Sequence, residues 1–310
     1  MEQPCPLNQD CSFGINRFHQ LTSFPFSKST PEPTRLLFHH DAKLHRHETI
    51  ITEIQPLSSL CEADQSLFKQ ITPPSSDTTL YIITVPETIF HPQGGGQPSD
   101  VGTISSASGP TFTVLSVRTS TTHDNLVLHL GHFDSPSSSP PSTFSPSSPV
   151  TLSIDPTLRH LYSRLHTAGH VLGAAVRTLL ETKIPNFDEL KASHFPDSAA
   201  CEFLGLIPST FKPEIQTKVN EMISSNLNVE IDWWDEEEFL KRGLERLLPK
   251  QEDQTKNKNE KLRVVKIEGT EVYPCGGTHV DTTDQCGKTT VRKISRNGVK
   301  GTSKVSYAIS

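Results

Sequence analysis

His166 and His170, with Thr167-Ala168-Gly169 between them, are answered about a hundred residues later by Cys275 and His279 around Gly276-Gly277-Thr278. Each half is a pair of metal-binding side chains with the same short spacer. On a helix, positions i and i+4 share a face, so His166 and His170 can offer two imidazoles to one ion. The glycines of the second half let the backbone fold a thiolate and a further imidazole toward the same point. Three imidazole nitrogens and one sulfur suit zinc in tetrahedral geometry. Two roles for that ion stay open. Four protein ligands are what a closed structural site uses, whereas a catalytic zinc usually keeps a position for water. The His pair also lacks the Glu that HExxH peptidases use as a base, so a zinc peptidase is disfavoured.

A second candidate is His91-Pro92-Gln93-Gly94-Gly95-Gly96-Gln97-Pro98-Ser99-Asp100. Its three glycines free the backbone to approach a ligand or to turn through positive φ. It is either a hairpin tip or a ligand-facing turn whose exit carries Gln97 and Asp100. No GK[ST] follows and the glycine spacing is wrong for a dinucleotide fingerprint, so it is not a nucleotide phosphate loop. A third is the stretch from Gly287 to Lys304, with Lys288, Arg292, Lys293, Arg296, Lys300 and Lys304 and no acidic residue. It either tracks nucleic-acid phosphates or guards a solvated sheet edge.

The elements that must hold these residues are legible in outline. Leu158, Leu161, Leu165, Val171, Leu172, Val176 and Leu179 recur at helical spacing after Asp155-Pro156. That predicts a helix of about two dozen residues carrying His166 and His170. Further on, the pattern predicts a strand over 200–206, a helix over Lys212 to Leu227 and a strand over Val229 to Trp233. A short helix from Asp235 to Leu248 and a charged loop from Gln251 to Glu260 follow. Strands at Leu262 to Ile267, Thr289 to Ile294 and Lys304 to Ile309 flank the CGGTH turn. This is an α/β two-layer sandwich, with helices on one face of an antiparallel sheet. Upstream, the runs Ile50-Ile51, Leu80 to Ile83, Phe112 to Leu115 and Leu126 to Leu128 predict a small antiparallel barrel or sandwich. The fold class is therefore α+β.

The chain has 310 residues, 33% of them hydrophobic, with 24 prolines and a net charge of −6. That length serves two modest domains, and the low apolar share points to loops or linkers as well. Residues 1–33 read as a disordered extension, 34–134 as a β-barrel-like domain, 135–149 as a Ser/Pro linker or loop, and 150–310 as the metal-binding domain. The acidic balance excludes a protein coated in basic residues but not a local basic face. No apolar run approaches membrane-spanning length, and the N-terminus has no secretory pattern. Cys5, Cys11, Cys61, Cys201, Cys275 and Cys286 form no dense framework, so a reducing, cytoplasmic setting is expected. Cys286 is a less suitable ligand than His279, which completes the paired spacing.

In this order, HPQGGGQPSD, HTAGH and CGGTHV resemble the editing module of alanyl-tRNA synthetases and the freestanding alanyl-tRNA editing proteins. The resemblance runs from about Thr34 onward, interrupted by the Ser/Pro insert. Threonyl-tRNA synthetase editing domains share the histidine and cysteine logic, but the glycine motif favours the alanine branch. The resemblance implies a β-barrel packed on an α/β editing domain, with zinc on His166, His170, Cys275 and His279. It places the family's glutamine at Gln97. The implied activity is hydrolysis of a mischarged amino acid from tRNA, Ser-tRNA(Ala) first and Gly-tRNA(Ala) second, with no ATP needed. Gln97 and the Gly94, Gly95 and Gly96 backbone are then expected at the ester or terminal adenosine, with Thr167 lining the pocket or bonded to its own helical turn. Lys293 and Arg296 are the candidate phosphate contacts. Nothing N-terminal to the motifs is long enough for an adenylation domain, so ligase activity is not expected. Lys191-Ala192-Ser193-His194-Phe195-Pro196-Asp197 departs from the bacterial pattern and leaves amino-acid selectivity open. The alternative is a non-catalytic zinc-fold module that binds tRNA or protein.

Overall fold

The helix that carries the histidine pair spans Pro156–Leu180, 25 residues. Asp155 caps it, accepting from the N–H groups of Thr157 at 2.8 Å and Leu158 at 3.0 Å. Pro156 follows at the first helical position, where its missing donor costs nothing. From Leu165 to Arg177 every side chain of this helix is buried. Its small residues, Ala168, Gly169, Gly173, Ala174 and Ala175, let other elements close in on all sides.

The computed structural model describes residues 31–107, 109, 111–133, 140–248 and 261–310. Most of the expected 1–33 extension, the first part of the Ser/Pro segment and the loop Gln251 to Glu260 lie outside these residues, as do Cys5 and Cys11. The fold is mixed α/β, and its larger sheets are antiparallel. A seven-stranded sheet has Arg46–Ile50 at one edge and Glu53–Pro56 at the other. Ile51 and Thr52 alone separate these two edge strands in sequence, so the sheet has to curl to bring its edges together. Its strand Tyr81–Thr84 is buried on both faces. Tyr81 and Ile83 join one apolar cluster, while Ile82 packs with Phe68, Leu128 and Leu130 in another. That explains why the sequence there is a continuous apolar run rather than an alternation.

Strand Pro149–Ile154 pairs with Arg46–Ile50 and with Gly102–Ser105 in this sheet, which thus draws on residues beyond the expected boundary at 150. Of the Ser/Pro segment, residues 140–149 are described. Phe144 is buried there against Phe133, so this part is a loop anchored in the core.

The expectation of one antiparallel sheet around the CGGTH turn needs correction. Thr289–Asn297 and Thr302–Ile309 lie in a four-stranded sheet with Asp188–Ser193 and Ala200–Leu204. Leu262–Ile267 instead pairs with Val229–Trp234 and Glu271–Pro274 in a separate three-stranded sheet. Glu271–Pro274 is short and carries one Pro, too weak a signal to divide the sheets from sequence. The long helix and helix Lys212–Ser224 pack on the four-stranded sheet through Val171, Val176, Ile215, Phe203, Val291 and Val305. Asp235 to Leu248, expected as one helix, is a helix at Glu236–Lys241 and a 3-10 turn at Glu245–Leu247, with Gly243 at φ 65° between them. Residues Pro31–Ser310 make up one compact unit. Among the described residues, no helix is long and apolar enough to cross a membrane.

Candidate metal centre

His166, His170, Cys275 and His279 converge, with one candidate ligand atom from each lying within 4.8 Å of all the others. The helix supplies the first two one turn apart, their ring centroids separated by 4.9 Å. The second pair is delivered by the end of the three-stranded sheet. Cys275 donates its backbone N–H to the carbonyl of Arg263 at 3.1 Å, and the Arg263 guanidinium reaches back to the Cys275 carbonyl. The loop then turns through Gly276 and Gly277. A Cβ at Gly277 would lie 2.2 Å from Cε1 of His166, so only glycine lets the loop lie on the ring.

The hydrogen bonds settle which nitrogens face the cluster. Gln97 Oε1 lies 2.7 Å from Nδ1 of His166 and also accepts from the Thr278 N–H at 3.0 Å. Its amide nitrogen donates to the Thr278 hydroxyl at 2.9 Å. An oxygen can only accept, so His166 Nδ1 carries the proton and Nε2 is left with its lone pair. Thr167 treats His279 in the same way. Its hydroxyl donates to the Ser163 carbonyl at 2.9 Å, accepts from the Val280 N–H at 3.2 Å and lies 3.3 Å from Nδ1 of His279. Both Nε2 atoms then face Cys275 Sγ, at 3.3 Å from His166 and 3.4 Å from His279. Tetrahedral zinc with nitrogen and sulfur ligands spaces neighbouring donors by about 3.3–3.8 Å, and these two distances match that spacing, within a set whose donors all lie within 4.8 Å of one another. His170 adds a buried Nδ1 that has no hydrogen-bond partner among the described residues.

The charges also suit a cation. Burial, reinforced by neighbouring imidazoles, holds His166, His170 and His279 well below the usual histidine range, so all three are neutral donors. Burial pushes the Cys275 thiol up, while the Gly277 N–H and the Arg263 charge pull against it.

Several neighbours escaped the sequence reading because no periodic spacing links them to the cluster. His194 stacks on His166, with centroids 4.1 Å apart and planes at 23°. Its Nδ1 lies 2.8 Å from the Tyr307 hydroxyl, which itself donates to the Leu165 carbonyl at 2.8 Å. Tyr273 donates to the His170 carbonyl at 3.1 Å. The Glu189 carboxyl and the Tyr273 hydroxyl both lie close over Gly173, and burial pushes the carboxyl up to about 7. Cys286 is buried outside the cluster, and its thiol is pushed up to about 12 by that burial.

The other sequence candidates separate. Gln97 and Thr167 are fully buried behind the ligands, with their polar atoms engaged there. Thr167 thus adopts the bond to its own turn. Gly94 and Gly95 are exposed, and the position of a Cβ on Gly95 is 4.0 Å from Cε1 of His166. Gly96 has φ +78° and is pinned by the His194 N–H, which donates to its carbonyl at 2.8 Å. Lys293 and Arg296 stand exposed on Thr289–Asn297, an edge strand of the four-stranded sheet and away from the cluster's hydrogen bonds.

Residues 262–303 match the threonyl and alanyl tRNA synthetase second additional domain. The chain is 31% identical over 205 residues to an alanyl-tRNA editing protein, AlaX-L, of Pyrococcus horikoshii, a match covering 66% of this chain and 46% of that protein. It is 30% identical over 229 residues to an alanine–tRNA ligase of Methanosphaera stadtmanae, covering 74% of this chain and 24% of the ligase. A ligase of Nitratidesulfovibrio vulgaris is 30% identical over 223 residues, covering 71% and 23%. The chain thus spans under half of the editing protein and about a quarter of each ligase.

Proposed function

This chain is a relative of the alanyl-tRNA editing proteins and of part of the alanine–tRNA ligases, and we propose that it is a trans-acting aminoacyl-tRNA deacylase. The bond cleaved is the ester between a small amino acid, serine first and glycine second, and the 3′-terminal ribose of tRNA(Ala). In this reading the seven-stranded sheet, with its strand Pro149–Ile154, is the barrel-like domain of the family and the remainder, from Asp155 onward, is the editing domain.

The observation that supports it most is the four-donor cluster with the exposed Gly94-Gly95 turn beside His166. A zinc ion held by His166, His170, Cys275 and His279 would supply a Lewis acid for the ester carbonyl or for an attacking water. The chain's own residues do the positioning. Gln97 fixes the tautomer of His166, and Thr167 that of His279. Ser163 and Thr278 hydroxyls, 2.7 Å apart, tie the helix to the CGGTH loop. Gly94 closes the turn by pairing with Gln97 through both its N–H and its carbonyl, and the exposed Gly95 backbone at the tip, over His166, is where an ester or terminal adenosine can be received. Lys293 and Arg296 are proposed to meet phosphates farther along the tRNA.

A second reading has its own support. With Gln97 and Thr167 both buried and committed to ligands, the cluster also has the form of a closed structural site with four protein donors. The chain would then be a non-catalytic module that binds tRNA or protein. Single-turnover hydrolysis of Ser-tRNA(Ala) against Ala-tRNA(Ala) separates the two, using wild type and Cys275→Ala with zinc assayed in parallel. Selective loss of the serine ester, abolished in the variant, is the expected result. A folded, zinc-loaded wild type that leaves the serine ester intact would favour the module. In the same assay, replacing Lys293 and Arg296 by Ala should raise KM in a salt-dependent way, and an unchanged KM would remove them from the tRNA path.

A further inference from the structure

A cleft of about 480 Å³ opens against the cluster, its lining including Cys275 and Gly276. Its other walls come from Trp233, His40, Arg263 and Lys261. Trp233 and Arg263 are direct partners across the antiparallel pair Val229–Trp234 and Leu262–Ile267, so their side chains share one face of the three-stranded sheet. The opposite face takes Trp234, packed with Phe239 and Val264. Trp233 is only half-buried and is stacked with His40, their centroids 5.3 Å apart and planes at 21°.

The charge in the cleft is one-sided. Arg35, Lys261 and Arg263 line it, and among its described lining there is no acidic side chain. Arg35 is ion-paired with Glu87. Arg263 is 6% exposed, and its Nη2 is buried with no hydrogen-bond partner among the described residues. Its Nε donates to the His39 carbonyl at 3.1 Å and its Nη1 to the Cys275 carbonyl, so the guanidinium is fixed beneath the cleft and lends it positive charge. Aromatic faces beside cations are how proteins hold single-stranded nucleic acid: bases stack, phosphates meet the charges, and sequence matters little.

We propose that this cleft receives the unpaired 3′-terminal nucleotides of an RNA, with a base stacked on Trp233 and phosphate oxygens at Lys261 within the field of the Arg263 charge, so that the chain end is delivered to Cys275. The assignment rests on the deacylase reading, since it takes the cleft as the approach to the metal cluster. It adds a binding surface on the three-stranded sheet, distinct from the Gly94-Gly95 turn and from the basic edge strand.

The probe is a fluorescein-labelled single-stranded RNA ending in CCA, titrated into the full chain with zinc content matched. Trp233→Ala should weaken binding about ten-fold, and Trp233→Phe should retain most of it. Lys261 is exposed, so Lys261→Ala tests the cleft without touching the core. It should lower the slope of log affinity against log salt by about 0.7. Unchanged affinity in both Trp233→Ala and Lys261→Ala would overturn the proposal. So would adenosine monophosphate competing as well as the oligonucleotide, which marks a mononucleotide pocket. A wild type that binds the oligonucleotide through Trp233 yet hydrolyses no mischarged tRNA would support the cleft and sink the deacylase. A wild type that deacylates while Trp233→Ala changes neither oligonucleotide affinity nor KM would sink the cleft alone.

Discussion

Gln97 shows how burial changes the role a motif suggests. A glutamine at the exit of a glycine turn invites assignment to the substrate, but its amide is 0% exposed and makes contacts at 2.7, 2.9 and 3.0 Å to His166 and Thr278. In the proposed reading it acts through His166. Partners of that kind, which orient a ligand without touching the ion, typically account for 10- to 100-fold in metal affinity. Gln97→Leu should therefore weaken zinc binding by about that factor, read by competition with a chromophoric chelator. Gln97→Glu keeps an acceptor for Nδ1 and should recover part of the loss. The opposite outcome, zinc affinity unchanged while kcat for deacylation collapses, would return Gln97 to the substrate. Thr167 follows the same logic on His279, and in both cases the sequence located the residue but could not tell which of its neighbours it serves.

At the scale of elements, the long helix sets two effects of glycine against each other. Gly169 lies between His166 and His170, inside a helix, where Ala would ordinarily be favoured by about 1 kcal/mol. Yet a Cβ there would meet His194 Cε1 at 2.3 Å and the Tyr307 hydroxyl at 2.7 Å. Overpacking of that kind typically costs about 1–3 kcal/mol, so the clash outweighs the propensity. Gly169→Ala should lower the melting temperature and, by displacing the ring stacked on His166, weaken zinc binding as well. A variant as stable as wild type would show that His194 and Tyr307 yield freely. The helix itself was legible from its cap and apolar period, as were most longer strands. The short strands Gly102–Ser105 and Glu271–Pro274 were not, because four residues carry too little pattern. The Asp188–Ser193 strand hid behind its charges. Its pairing brings His194 to the cluster, a contact that no spacing in the chain announces.

Across the whole unit, the glycine motif and the metal helix are joined by a buried ion pair. Arg159 and Asp100 have side chains 2% and 1% exposed, and the guanidinium also donates to the carbonyls of Ala42 at 2.7 Å and Ile89 at 2.6 Å. Asp100 in turn accepts from the His91 N–H at 2.6 Å. One guanidinium thus ties the segments at Ala42 and Ile89, the end of the glycine motif at Asp100 and the first turn of the helix. Such a pair has a characteristic asymmetry. Its two charges offset each other's desolvation, but removing one strands the other in an apolar site, at a cost of about 3–5 kcal/mol. Arg159→Met should therefore destabilise the protein by that order in urea unfolding. Adding Asp100→Asn should restore a good part of it, since no buried charge then remains. Losses that simply add would mean that the two residues act independently. Because Gln97 stands three residues before Asp100, the single variant should also weaken zinc binding, whereas the double variant should regain stability more fully than metal affinity. The amide can fill the space of the carboxylate, but without the guanidinium it no longer draws the glycine turn against the helix that carries His166 and His170.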